Sequence, residues 1–132
     1  FYYWGNILVS KFNALGELEF TVTVPKSQYT NQLPANWVSF ESAMKNGVLY
    51  LFFSDTEENA NSTAGMVQKI SNPEKSLVSV FSVNSEGKVA RTFITEKDNF
   101  INRNSLQMLD DGSVIISVVS GKRQMLNKVI LP

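Results

Sequence analysis

Oxygen-bearing side chains concentrate at one place in this chain. Asp55-Thr56-Glu57-Glu58-Asn59-Ala60-Asn61 sets three carboxylates and two carboxamides within seven residues. Calcium takes about six to eight hard oxygen ligands, and a flexible loop can gather them. Asp55, Glu57 and Glu58 are therefore the candidate metal ligands. The spacing departs from the EF-hand loop, which needs a central Gly and a closing Glu, so a solvated loop is the preferred reading. A second acidic pair, Asp110-Asp111, precedes Gly112. Glycoside hydrolysis needs two carboxyl groups about 5–9 Å apart across a cleft. Neighbours in a turn do not face each other, and turn chemistry explains the pair. The aromatics Phe1, Tyr2, Tyr3, Trp4, Tyr29 and Trp37 are the other notable group. Tyr29 and Trp37 flank a polar loop and can stack on a sugar or a peptide. The competing and preferred role is packing between sheets, with Phe1 to Trp4 set against a neighbouring or missing sheet. Lys26 and Gln28 follow Pro25 and can line a groove, or simply mark the exit of a strand.

The residue set excludes several chemistries. Histidine and cysteine are both absent. That removes His-dependent triads, His-ligated zinc, thiolate metal sites and Cys nucleophiles. No phosphate-binding Gly loop or nucleophile elbow is present. Asn61-Ser62-Thr63 has the form of a glycosylation sequon, which carries meaning only in a secreted eukaryotic setting. Twelve basic residues balance twelve acidic ones, so no charge excess draws a nucleic-acid backbone. No apolar run approaches the roughly 20 residues that span a bilayer. At 132 residues and 43% hydrophobic, the chain suits one domain with a real core. It opens at Phe1 without Met, which reads as a piece of a longer protein.

The elements that must position these residues read as hairpins written twice. Ile7–Phe12, a turn Asn13-Ala14-Leu15-Gly16, and an alternating strand form one motif. Val78–Val83, Asn84-Ser85-Glu86-Gly87 and the strand after it form its counterpart. Asn tolerates left-handed geometry and Gly takes positive φ, as such a turn requires. A second motif is a short strand, a Gly turn and an apolar strand. It occurs as Lys45-Asn46-Gly47 before Val48–Phe53, and as Asp110-Asp111-Gly112 before Val114–Val119. With strands of a unit named a to d, the chain reads c-d (6–24), a-b-c-d (38–95), then a-b with a last strand (104–131). Matching glycines are spaced about 65 to 71 residues apart, longer than the roughly 40–50 of common propeller blades. Val48–Phe53 and Val114–Val119 are nearly continuous in apolar residues, which marks strands covered on both faces. In the first d strand Leu18, Phe20, Val22 and Val24 point one way. Asn36–Met44 reads as strand, with a short helix capped by Asn36 as the alternative. Residues 25–36 and 54–75 are loops, with a short strand near Met66, Val67 and Ile70 as an option.

Three stretches carry a resemblance: Tyr2-Tyr3-x-Gly5-Asn6-Ile7-Leu8-Val9, Val24-Pro25-Lys26-Ser27-Gln28 and Leu49-Tyr50-Leu51-Phe52-Phe53-Ser54-Asp55. The chain resembles the C-terminal region of uncharacterised, exported bacterial repeat proteins of β-propeller-like build. The resemblance implies a propeller-like arrangement and a periplasmic or extracellular setting. It brings no catalytic residues, and the Trp-Asp endings of the best-known propeller repeats are absent.

The expected fold is all-β, antiparallel and propeller-like, with about two four-stranded meander units and half-units at the termini. To close, the a-b hairpin near 104–120 pairs with the c-d hairpin near 6–24, unless residues 125–131 take that slot. The other route is assembly with a second copy or the missing chain. The expected function is a non-catalytic binding or scaffold module without a cofactor. Its glycan or peptide ligand meets loops 25–36 and 54–75, with Tyr29, Trp37, Lys26 and Gln28 as the ligand-facing set. One alternative is an accessory part of an exported hydrolase drawing on Asp55, Glu57 and Asp98. The other is a structural oligomerising segment.

Overall fold

The computed structural model describes residues 1–32, 35–63 and 65–132; Pro34 of the first loop lies outside them. Over these described residues the chain is all-β and antiparallel, with twelve strands in order. β1 (Tyr2–Trp4) pairs with β4 (Gln28–Thr30), and β2 (Ile7–Phe12) with β3 (Leu18–Val24). β5 (Glu41–Lys45), β6 (Val48–Asp55), β7 (Leu77–Val83) and β8 (Val89–Phe93) form a four-stranded meander. A last sheet centres on β11 (Val114–Ser120). β12 (Arg123–Val129) lies on one edge of β11, while β9 (Phe100–Ile101) and β10 (Gln107–Met108) share the other. Single 3-10 turns occur at Glu57–Asn59 and Pro73–Lys75. Among the described residues no helix is long and apolar enough to cross a membrane.

The sheets stack in layers, with β5–β8 in the middle. Strand alternation sends Tyr50 and Phe52 of β6, with Val78 and Val80 of β7, to one face, where they meet Val114, Ile116 and Val118 of β11. Leu51, Phe53, Phe81 and Val83 go to the other face and meet Ile7 and Val24, with Val9, Phe20 and Val22 packed alongside. β6 is therefore covered on both faces, as its unbroken apolar run requires. β11 is fully covered on one face only: Ile115 and Val119 on the other are half-buried. A third cluster caps one end of the stack, formed by Ala35, Trp37, Val38 and Ile70 with Trp4 and Phe100 against it.

Several expectations change against this frame. The strand after Asn36 begins only at Glu41, because residues 36–39 turn instead. Leu18 does not join Phe20, Val22 and Val24. A register shift at Lys11/Phe12 pairs Phe12 with Leu18, and both side chains face outward. One extra residue in a strand reverses the face of everything beyond it. β2 pairs only with β3 among the described residues, and β12 takes the β11 edge. The 104–120 hairpin therefore does not close on 6–24.

The turns explain how the sheets register. At Asn13, N–H donates to Glu17 O (3.0 Å), and Oδ1 accepts from Leu15 N (2.9 Å) and Glu17 N (3.0 Å). Asn84 makes the same set with Lys88 O (2.9 Å), Glu86 N (3.0 Å) and Lys88 N (2.9 Å). Gly16 and Gly87 close these turns at φ 81° and 79°. The Asp110-Asp111-Gly112 turn follows this four-residue pattern rather than that of Asn46-Gly47: Leu109 N–H donates to Ser113 O (2.8 Å), and Asp111 Oδ1 caps Ser113 N (2.9 Å). Lys128 and Ser113 hold the Asp111 carboxyl below the ordinary carboxylate range.

The two matched glycines are not interchangeable. A Cβ at Gly87 would sit 3.0 Å from Phe20 Cγ, whereas nothing lies within 4 Å of one at Gly16. Gly16→Ala is expected to cost about 1–2 kcal/mol for left-handed geometry alone. Gly87→Ala adds overpacking of about 1–3 kcal/mol. Urea unfolding of the two variants measures the difference; equal losses would show that β3 does not rest on the β7–β8 turn.

Candidate functional site

The long loops gather at the end of the stack opposite the Asn13, Asn46 and Asn84 turns. Loops 25–36 and 54–75 are joined there by main-chain bonds: Tyr29 N–H donates to Ile70 O (2.9 Å), and Ile70 N–H to Ser27 O (3.0 Å). Ile70 is the one part of the Met66–Ile70 stretch that makes a bridge, to Gln28. The two loops form one continuous rim.

A buried polar network anchors the rim. Arg91 lies on β8 opposite Phe81, on the face that packs against β2–β3. Its guanidinium lies over the Phe53 and Phe81 rings, 5.7 and 5.4 Å from their centroids. Its Nη2 donates to Pro25 O (2.8 Å) and faces Asp55 Oδ2 at 3.2 Å; its Nη1 donates to Asn59 O. Asp55 Oδ1 accepts from Asn59 Nδ2 (2.7 Å) and Thr56 N (2.9 Å). Asn59 then holds Gln68 through both amide atoms: Oδ1 accepts from Gln68 N (2.7 Å), and Nδ2 donates to Gln68 O (3.1 Å). Burial pushes the Asp55 carboxyl up, opposed by Asn59 and then by the Arg91 charge.

Lys26 and Gln28 belong to this interior and not to a groove, being 3% and 1% exposed. Lys26 Nζ donates to Trp4 O (3.3 Å) and Gln28 Oε1 (3.2 Å). Gln28 Nε2 donates to Ser54 O (2.9 Å), and its Oε1 also accepts from Ser39 N (2.7 Å). Ser39 sits at φ 84°, a costly conformation for a non-glycine residue, and this part-buried bond helps hold it there. Trp37 is buried in the capping cluster. Of the four expected ligand-facing residues, Tyr29 alone reaches the surface with its ring. On the outer side of the β1–β4 ribbon it stacks on Phe1 (5.5 Å, 24°) and tilts against Tyr3 (5.2 Å, 35°). Lys69 Nζ lies over both tyrosines, 5.3 and 5.0 Å from the ring centroids. Tyr3 is 64% exposed, so these rings form an open aromatic shelf. Beside it, Lys69 also borders a hollow of about 480 Å³ with Glu57, Glu58, Lys75 and Lys97.

The candidate metal ligands separate. Asp55 turns inward to Arg91, whereas Glu57 turns outward to Lys97 (2.9 Å). Among the described residues no three acidic side chains come together in a way that could hold a metal ion. Asp98 stands at φ 65° in the connection between β8 and β9. Sequence reasoning missed Arg91, Asn59 and Lys69. Arg91 carried a signal: it falls in phase with Val89 and Phe93 on a strand, where an apolar residue belongs. Asn59 and Lys69 carried none, since loop geometry decides their partners.

Burial lowers the Lys26 pKa from 10.5 to about 8, against the attraction of Asp55. Such a lysine holds its proton less firmly folded than unfolded. Between about pH 8 and 10.5 the folded chain carries fewer protons, so stability rises with pH by up to about 3 kcal/mol. Chemical denaturation across that range should show the rise in the wild type, and a flatter curve in Lys26→Met. Parallel curves would mean that Lys26 is solvated. Comparison of the chain with family models, with curated proteins and with solved structures gives no match.

Proposed function

We propose that the chain is a non-catalytic binding module of an exported, propeller-like bacterial protein, and that its ligand meets the loop rim at the Tyr3–Tyr29 shelf. One observation carries this reading: the exposed Tyr3 ring and the half-buried Tyr29 ring stand together, and main-chain bonds to Ile70 hold the Tyr29 backbone in place. Aromatic rings on pre-formed backbone give contact area at little ordering cost. The flat ring faces suit a sugar ring or a peptide side chain. The residue set, without histidine or cysteine, supports binding over catalysis. Layered sheets in contact face to face support the propeller-like part of the reading, as does the resemblance to exported repeat proteins. The experiment is a glycan and peptide array with the wild type and with Tyr29→Ala. Loss of a central aromatic contact is expected to weaken binding at least about fivefold. Unchanged array binding by Tyr29→Ala would remove the shelf from the function.

A second reading, a structural segment that assembles with copies of itself, is favoured by the two outermost sheet faces. Leu8 on β2 is 69% exposed and Leu126 on β12 is 74% exposed. Inside the chain, equivalent faces are covered by the next sheet in line. A head-to-tail contact between the β2–β3 face of one copy and the β11–β12 face of the next would continue that order. Sedimentation velocity over a concentration series is expected to show reversible association, weakened by Leu8→Asp. A monomer at every concentration would end this reading.

A further inference from the structure

On the other side of the β1–β4 ribbon from the Tyr3–Tyr29 shelf lies a cleft of about 420 Å³, within the size range of small-ligand sites. Strand alternation produces the division: Tyr29 faces the shelf, whereas Thr30 faces the cleft. The opposite wall is a row across the last sheet, where Val119 pairs with Phe100 on one side and with Gln124 on the other. Phe100 and the small uncovered part of Trp37 line the cleft together with Gln32, Asn36, Asn102 and Gln124. Among the described residues no charged one lines the cleft, although the chain carries twelve basic and twelve acidic residues.

The bonds already made leave much of this amide capacity open. Gln124 Nε2 donates to Ser117 Oγ (2.6 Å), which fixes the side chain and leaves its Oε1 without a bond among the described residues. Asn102 is held through its backbone, N–H to Ser117 O (2.8 Å), and Arg103 N–H donates to Asn36 O (2.6 Å). The Asn102 carboxamide makes no bond among the described residues. A carboxamide offers donors and an acceptor without charge. Several of them around an aromatic surface match the alternating donors and acceptors of ring hydroxyls, with the rings taking the C–H face. A peptide fits less well, because these amides come from separate segments and not from a strand edge that could continue a ladder.

We propose that this cleft is a second binding site, for a neutral saccharide of one or two rings, and that Asn102 and Gln124 fix its orientation. The site does not rest on the shelf, and its test separates the two. The intact, ¹⁵N-labelled chain is titrated with uncharged disaccharides (cellobiose, maltose, lactose and diacetylchitobiose) and with a capped, uncharged tripeptide. The indole N–H signals of Trp4 and Trp37 are the readout. At least one disaccharide is expected to shift the Trp37 signal saturably. Asn102→Ala and Gln124→Ala are each expected to weaken that binding about three- to tenfold, while Tyr29→Ala leaves it unchanged. Affinity is expected to be the same at low and high salt, since no ion pair contributes. Thermal unfolding of each variant checks that it is folded. Four outcomes overturn the proposal: no disaccharide moves the Trp37 signal, the tripeptide alone moves it, folded Asn102→Ala and Gln124→Ala both bind as the wild type, or Tyr29→Ala abolishes the response.

Discussion

The contact on which the loop end of this molecule depends is the buried pairing of Arg91 with Asp55. A guanidinium is planar and offers five donors in a fixed fork. Here that fork is divided among three segments: the end of β6 through Asp55, the start of loop 25–36 through Pro25 O, and the start of loop 54–75 through Asn59 O. Desolvating such a pair is costly, and removing one partner typically costs about 3–5 kcal/mol because the other charge is stranded. The pair therefore contributes little net stability compared with apolar packing and much positional definition. Without it, the links between the two polar loops among the described residues would be reduced to contacts such as the main-chain bonds at Ile70 and the Gln28 bond to Ser54 O.

The rest of the architecture follows from layering. Each middle strand sends alternate side chains to two different neighbours, so β6 and β7 divide their apolar residues between two clusters. Tight turns at one end keep hairpin register, since Asn13 and Asn84 close their turns with the same bonds. The opposite end carries the long connections, together with the tight β11–β12 turn at Gly121. That separation is why polar surface, aromatic shelf and clefts all occur together, while the turn end carries small contacts such as Phe20 against Gly87.

The all-β class and the hairpins were legible because their signals are local. A turn with Asn and Gly at fixed offsets states its own geometry, and an unbroken run such as Leu49–Phe53 states double burial. What was not legible depended on one-residue details or on distant partners. Leu18 looked like the first member of an inward series, and the bulge that turns it outward leaves no mark in composition. Lys26 and Gln28 looked like surface residues because isolated polar side chains usually are. Their burial becomes intelligible only when Ser54 O and Trp4 O are seen to be waiting for donors. Glu57 and Asp55 looked like a pair, but a strand ends between them. Asp55 still obeys the alternation of β6, and Glu57 already belongs to the loop.

The same alternation decides how the β1–β4 ribbon works. Two short strands cannot form a core of their own, so one face must be committed to the body of the protein. Trp4 and Gln28 meet that need, one in the capping cluster and the other in the buried network. The next pair along the ribbon, Tyr3 and Tyr29, is then obliged to point outward. Their outward orientation is a geometric consequence of burying their neighbours, and it persists as long as Gln28 keeps its bonds to Ser54 and Ser39. The shelf and the interior network are thus one arrangement viewed from two sides of a pleated ribbon.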